Sequence, residues 1–398
     1  MTVVAAAGAR RRGLLGAALV LVALNLRPAI AALSPVLSQV QRGDRLSSTL
    51  AGVLTADPVA CFGIFAFATP RLIRRHGPDR LLWWTMAGLL VGTAVRYAPG
   101  TVAVFAGTTV IGASIGVANV VVPGIVKRDF ADRVALMTAL YATALSAGAA
   151  LAAGVTVPIE HLGSLSWRGA AAVWGLVAVA ALVVWPRGSR PPGAAGGGSA
   201  RAGLWGSGLA WAVTCFMGLQ SLSFYATFAW IPTIFESGGV PATAAGGYLA
   251  LAGVAGIAGS LVTPPLARGA TAGSARRPWV PVAVAVTLGA AGLSGLASAP
   301  TAAPAMWMVL LGLGQGASIA LALGYLVLRA PDAARAGDLS TMAQGSGYLL
   351  AAAGPFGLGA LHGATGGWAV PLAILAVLLL PELAAGVLAS ADRHVQPG

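Results

Sequence analysis

Apolar runs of about twenty residues or more recur twelve times along the chain, separated by short stretches rich in Arg, Gly, Pro and Asp. They fall near 13–37, 48–69, 80–98, 101–125, 134–158, 168–186, 206–235, 242–266, 279–298, 304–328, 339–361 and 368–389. A helix of ~20 mostly apolar residues crosses the ~30 Å of hydrocarbon in a bilayer. The pattern therefore predicts an all-α membrane protein with twelve transmembrane helices, the seventh long enough to tilt or bend. The first run follows Arg10, Arg11 and Arg12 as a signal peptide would. It continues for too many residues to be an h-region and is expected to be an uncleaved first span.

The longest polar interruption is PRGSRPPGAAGGGSARAG at 186–203. Its Pro, Gly and Ser content cannot bury a core and reads as a flexible linker. It divides the chain into an N-terminal six-helix bundle (1–186), a cytoplasmic linker (187–203) and a C-terminal six-helix bundle (204–398). The halves echo one another. Gly112-x-x-x-Gly116 in the fourth run matches Gly312-x-x-x-Gly316 in the tenth, and KRDFADR (127–133) matches LRAPDAAR (328–335).

Composition supports the membrane assignment: 57% of residues are hydrophobic and 9% charged, against about a quarter charged in soluble domains. The 55 glycines suit close helix packing. A net charge of +13 raises nucleic acid as a partner, but the basic residues sit in short connections rather than on one face. Nineteen of the 24 Lys and Arg lie on the side of the two termini. Arg42, Arg45, Arg96 and Arg168 lie on the other side, and Arg27 lies within a span. The bias places both termini in the cytoplasm of a cell inner membrane. The partners expected are the lipid bilayer and a small-molecule substrate, with protons as a candidate coupling ion and no nucleic acid. A monomer is expected.

Arg27, mid-span in ALNLRPAI, is the most informative residue. A charge at that depth costs at least ~3 kcal/mol on insertion scales, so it must face water, a counter-ion or a ligand. Its guanidinium fork suits a planar anionic or dipolar solute; a structural ion pair or a snorkelling side chain is the alternative. Asp57 lies at a similar depth in the second span. It could neutralise Arg27, couple protons or touch substrate. Glu382 is expected near a lipid or interfacial position.

Asn25, Asn119, Tyr141, Gln220, Tyr225, Gln315, Gln344 and Tyr348 fall on spans placed to line a central cavity. There they would orient a ligand or hydrogen-bond between helices. In AAAGPFGLGAL (351–361), Gly354 and Pro355 permit a kink and are candidates for a gating hinge. The four histidines lie in connections or at span ends, and the two cysteines, Cys61 and Cys215, lie in spans, so neither a metal site nor a disulfide framework is expected. No cofactor is expected, and no phosphate-binding loop is present for ATP-driven transport.

Five blocks carry a family resemblance: ALNLRPAIAALSPVL (23–37), GVANVVVPGIVKRDFADR (116–133), SWRGA (166–170), MGLQSLSFYATFAWIPTI (217–234) and LSTMAQGSGYLLAAAGPFGLGALHGATGGW (339–368). In order and over nearly the whole chain, they resemble the cyanate/nitroimidazole transporter family of the major facilitator superfamily. The resemblance implies two six-helix repeats with a site between them near the midplane. It implies a secondary carrier, not an enzyme, for small anions or polar nitrogen heterocycles. Arg27 would anchor the substrate, with Gln220, Tyr225 and Gln344 opposite. PRLIRRHGPDR (70–80) is similar to the superfamily's loop-2/3 gate motif, with Arg74, Gly77 and Asp79 as gating candidates; Arg74 stands where the motif carries an acid. Export of larger amphipathic drugs is the alternative activity, and a receptor role would need a soluble domain that no connection is long enough to supply.

Overall fold

A computed structural model describes residues 2–130, 133–162, 165–185, 201–271, 277–331 and 333–395. Most of the expected linker thus falls outside the described residues. Among the described residues there are fifteen α-helices and no strand. The N-terminal half comprises α1 (Thr2–Asn25), α2 (Pro28–Ala31), α3 (Leu37–Asp44), α4 (Ser48–His76), α5 (Pro78–Tyr97), α6 (Thr101–Asp129), α7 (Val134–Leu162), α8 (Trp167–Val173) and α9 (Gly175–Val184). The C-terminal half comprises α10 (Gly208–Ser237), α11 (Ala242–Thr271), α12 (Val280–Ser298), α13 (Pro304–Leu328), α14 (Ala333–Thr365) and α15 (Ala369–Ala389).

The first expected span is α1, α2 and α3 with a short 3-10 turn at Ser34–Val36, and the sixth is α8 and α9. Among the described residues, ten segments are long and apolar enough to cross a membrane. α5 and α14 fall short of the twelve expected: Arg80, Arg96 and two tryptophans dilute α5, and Ser, Thr, Gln and Gly dilute α14. Both are nonetheless packed into the bundles, α5 on α6 and α14 between α4 and α10. A helix in protein contact does not need the full apolar surface that lipid demands.

Helix ends follow local chemistry. Ser47 caps α4 by accepting the Leu50 N–H at 3.2 Å. At the other end Gly77, at φ 76°, stops α4, and Pro78 starts α5 at once. The stretch expected as a loop at 70–80 is therefore two helix ends meeting at one left-handed glycine.

The repeat seen in the sequence is a packing repeat. A Cβ on Gly112 or Gly116 would strike the α4 backbone at Pro58 and Cys61. A Cβ on Gly312 or Gly316 would strike the α11 backbone at Ala252 and Gly256. So α6 lies on α4 as α13 lies on α11, each through backbone approach that only glycine allows.

The halves meet along α4 and α14, from Ser48 beside Gly359 to Phe67 beside Gly345. At the face away from the termini, α7 also meets α11, with Gly246 against Ala153 and Gly253 against Ala150. The Ser34–Val36 turn packs on α10 and α11 at that same end. The extensive contacts between halves thus close the far face.

Candidate functional site

Arg27 stands where the first span breaks. α1 ends at Asn25, and Pro28 opens the one-turn helix α2 with Arg27 as its N-cap. Breaking a membrane helix frees backbone groups, which is tolerated where protein or an aqueous cavity takes them up. Here the Leu33 N–H turns to Ile30, and the Ala29 carbonyl accepts Nη2 of Arg96 at 2.6 Å.

From this break Arg27 reaches into the opposite half. Its Nη1 donates to the Tyr225 hydroxyl at 2.8 Å. Its guanidinium also lies 5.8 Å from the Phe62 ring centre and 5.9 Å from that of Tyr225, within cation–π range. Tyr348 closes the cluster, 5.7 Å from Phe62 and 6.3 Å from Tyr225, edge to face. Among the described residues no carboxylate pairs with Arg27. An arginine side chain does not lose its proton in proteins, so a half-buried positive charge is held by ring faces and one phenol.

Three further expected residues join this neighbourhood. Tyr141 lies within electrostatic reach of Arg27, and its hydroxyl donates to Asn119 Oδ1 at 3.4 Å. The Asn119 amide nitrogen is buried without a partner, a donor free for a ligand's acceptor. Gln344 is half-buried one turn from Tyr348 on the same face of α14, and bonds Ser340 at 2.7 Å.

Four expected residues are elsewhere. Asn25 turns into the N-terminal bundle, its amide 3.5 Å from the Met86 sulfur. Gln220 is buried against Met217 and Ser221, and Gln315 donates to Thr227 at 2.8 Å. Both line a small cavity inside the C-terminal bundle that also contains Glu382. Glu382 is 3% exposed and accepts from Ser318 at 3.2 Å, so the expected interfacial position is corrected to the bundle interior. The expected ion pair of Asp57 with Arg27 is also corrected. Asp57 accepts from Thr109 at 3.0 Å and lies beside Cys61. It shares a helical face with the exposed Val53 and Ile64, because α4 turns Phe62, not Asp57, toward Arg27.

At the gate-like segment, Arg74 is exposed. Asp79, buried in the first turn of α5, takes Arg128 Nη1 at 3.0 Å and Nη2 at 2.8 Å. Arg128 also holds Asp129 at 2.7 Å. Burial works against the Arg128 charge, but hydrogen bonds and charges from Asp129 and Asp79 hold its pKa above the ordinary arginine value. An ion pair thus forms at this segment through Asp79, although Arg74 offers no acid. Gly354 and Pro355 sit where α14 approaches its neighbours: a Cβ on Gly354 would meet the Leu222 carbonyl of α10, and the Pro355 carbonyl accepts Trp230 Nε1 at 2.9 Å.

Phe62 went unnoticed in the sequence, and Arg96 was misplaced. Arg96, counted there with the outer charges, is 2% exposed. The signal was present: Gly88, Gly92 and Arg96 follow at four-residue spacing on the α5 face that meets α6.

Two helical bundles meeting at a seam, with the Arg27 cation and an aromatic cluster drawn from both halves, define a polytopic membrane transporter. The chain belongs to the Major Facilitator Superfamily, whose family model matches residues 13–355. It is 34% identical to the 2-nitroimidazole transporter of Escherichia coli (strain K12), over all of both chains. It is 37% identical to an uncharacterized transporter, YycB, of Bacillus subtilis (strain 168), covering 95% of this chain and 93% of that one. It is 28% identical to the cyanate transport protein CynX of Escherichia coli, covering 91% and 93%. In fold it is similar to a bacterial homologue of the lysosomal transporter Spinster, in an inward-facing and unoccupied conformation. That match has a TM-score of 0.76 and 16% identity, covering 97% of this chain and 99% of the other. Its relatives are transporters, not enzymes.

Proposed function

We propose that this chain carries a small anionic or polar solute across the cell inner membrane by alternating access, with Arg27 as the anchor. The observation that carries this is a permanent charge at the seam, without a carboxylate partner among the described residues, donating to Tyr225 of the opposite half. A solute with one negative charge or a strong dipole replaces the Tyr225 hydroxyl on the guanidinium and stacks on the rings of Phe62, Tyr225 and Tyr348. The buried donor of Asn119 and the amide of Gln344 supply orientation. Because Arg27 belongs to one half and Tyr225 to the other, ligand binding changes what links the halves. That link is what rocking about a fixed site requires.

The names of the relatives support the solute class. A linear anion such as cyanate and a planar heterocycle such as 2-nitroimidazole both offer an acceptor edge to a guanidinium, and the second also offers a ring to stack. With both termini in the cytoplasm, as the charge bias indicates, the closed far face is the outer one. Gly354 and Pro355 are proposed as the hinge of α14, and the Asp79–Arg128 pair as a latch at the inner face. The test is uptake of labelled cyanate and 2-nitroimidazole into proteoliposomes. Transport of either that Arg27→Ala abolishes, with insertion intact, supports the proposal; transport unaffected by Arg27→Ala removes Arg27 from the mechanism.

A further inference from the structure

A second arginine lies beyond Arg27, enclosed by α2, α4, α6 and α10. Arg96 is 2% exposed. Its Nη2 is spent on the Ala29 carbonyl, but its Nη1 is buried with no partner. No carboxylate pairs with it among the described residues. A buried arginine keeps its proton, and a buried charge is normally paired and hydrogen-bonded. One neutral carbonyl supplies neither a negative charge nor a partner for Nη1.

Arg96 lines a cavity of ≈ 20 Å³, where ~10–15 Å³ holds one water. Two kinds of wall surround it. Leu33, Leu54 and Phe228 are apolar, whereas the buried Ser34 carries a hydroxyl. The hydroxyls of Thr55 and Thr108 already donate to their own helices, so they add no competing proton. Among the described residues no acidic side chain lines the cavity. Tyr225 lines it too, while its hydroxyl accepts from Arg27. Tyr225 therefore adjoins both the Arg27 site and the Arg96 cavity.

We propose that the Arg96 cavity is a second binding site, for one small monoanion held by Arg96 Nη1 and the Ser34 hydroxyl. The site stands independently of the carrier assignment of Arg27. Its occupant is either the solute in transit, handed across Tyr225, or a resident halide; both present the same chemistry, a single compact negative charge.

The test is calorimetric titration of the purified full chain with sodium thiocyanate and, separately, sodium bromide, in a gluconate buffer. Arg27→Ala isolates the second site. It is expected to bind one anion per chain, at least tenfold more weakly once Arg96→Gln is added. Because Arg96 also holds the α2 backbone, Ala229→Leu, which fills the cavity, and Ser34→Ala form a second pair in the Arg27→Ala background. Each is expected to weaken binding at least fivefold with the fold intact. Thiocyanate without bromide identifies a subsite of the transport path, and equal binding of both identifies a resident halide. Absence of saturable binding in Arg27→Ala, or binding that Arg96→Gln or Ala229→Leu leaves unchanged, overturns the proposal. Loss of transport in Arg27→Ala with this binding retained separates the two sites.

Discussion

Arg27 and Tyr225, 198 positions apart, share a 2.8 Å hydrogen bond across the seam between the bundles. The bond links the broken first span to α10 and leaves the guanidinium without a carboxylate. Tyr225→Phe removes the acceptor but keeps the ring. A hydrogen bond to a charged group contributes about 1.5–3 kcal/mol, and the solute recovers part of this when it displaces the phenol. Solute affinity in Tyr225→Phe is therefore expected to change by less than about tenfold, since a factor of ten is about 1.4 kcal/mol. Equilibrium binding checks this; a complete loss would make the hydroxyl a direct ligand.

Asp79 and Arg128 hold each other at two points beside Asp129. Asp79→Asn leaves a partly buried guanidinium with one carboxylate. It is expected to destabilise the protein by about 2 kcal/mol, below the range for a fully buried pair because Arg128 keeps some solvent. A double-mutant cycle with Arg128→Gln is expected to be markedly non-additive. Melting of the four proteins measures it, and simple additivity would mean the pair contributes nothing.

Gly316 and Gly324 lie on the same helix with opposite surroundings. A Cβ at Gly316 overlaps the Gly256 backbone, and one at Gly324 meets nothing within 4 Å. Gly316→Ala is expected to push α13 off α11 and strongly reduce folded yield. Gly324→Ala is expected to be neutral or to stabilise by up to about 1 kcal/mol through helix propensity. Gel-filtration yield and melting compare them; equal behaviour would refute the close contact.

Asp57 points away from Arg27, toward Thr109. Asp57→Asn retains an acceptor for that hydroxyl and is expected to leave solute uptake and its pH profile within twofold of the parent. A loss of pH-driven accumulation would instead assign Asp57 to proton coupling.

The repeat and the charge buried in the first span were legible in the chain because each has a local signature, whereas the break of that span at Arg27 was not foreseen. Backbone contact demands the absence of Cβ at Gly112, Gly116, Gly312 and Gly316, and an arginine before proline in an apolar run has few accommodations. Depth along a span was legible too, but direction around the helix was not. Asp57 and Arg27 lie at similar depth, yet the turn of α4 separates them, and the same limit sent Gln220 and Gln315 to the interior of one bundle. Arg96 was obscured for another reason. Charge counting assigns residues at span ends to water, whereas a freed carbonyl at Ala29 draws this one inward.

The most direct measurement is the melting temperature of the purified chain and its Arg27→Ala variant across a panel of small anions and nitrogen heterocycles. A ligand at a hundred times its Kd stabilises the native state by about 2.7 kcal/mol. At least one compound is expected to raise the melting temperature of the parent by several degrees and that of Arg27→Ala by clearly less, since any anion held at Arg96 stabilises both. Equal stabilisation of both proteins by every compound that binds would contradict a solute anchored on Arg27.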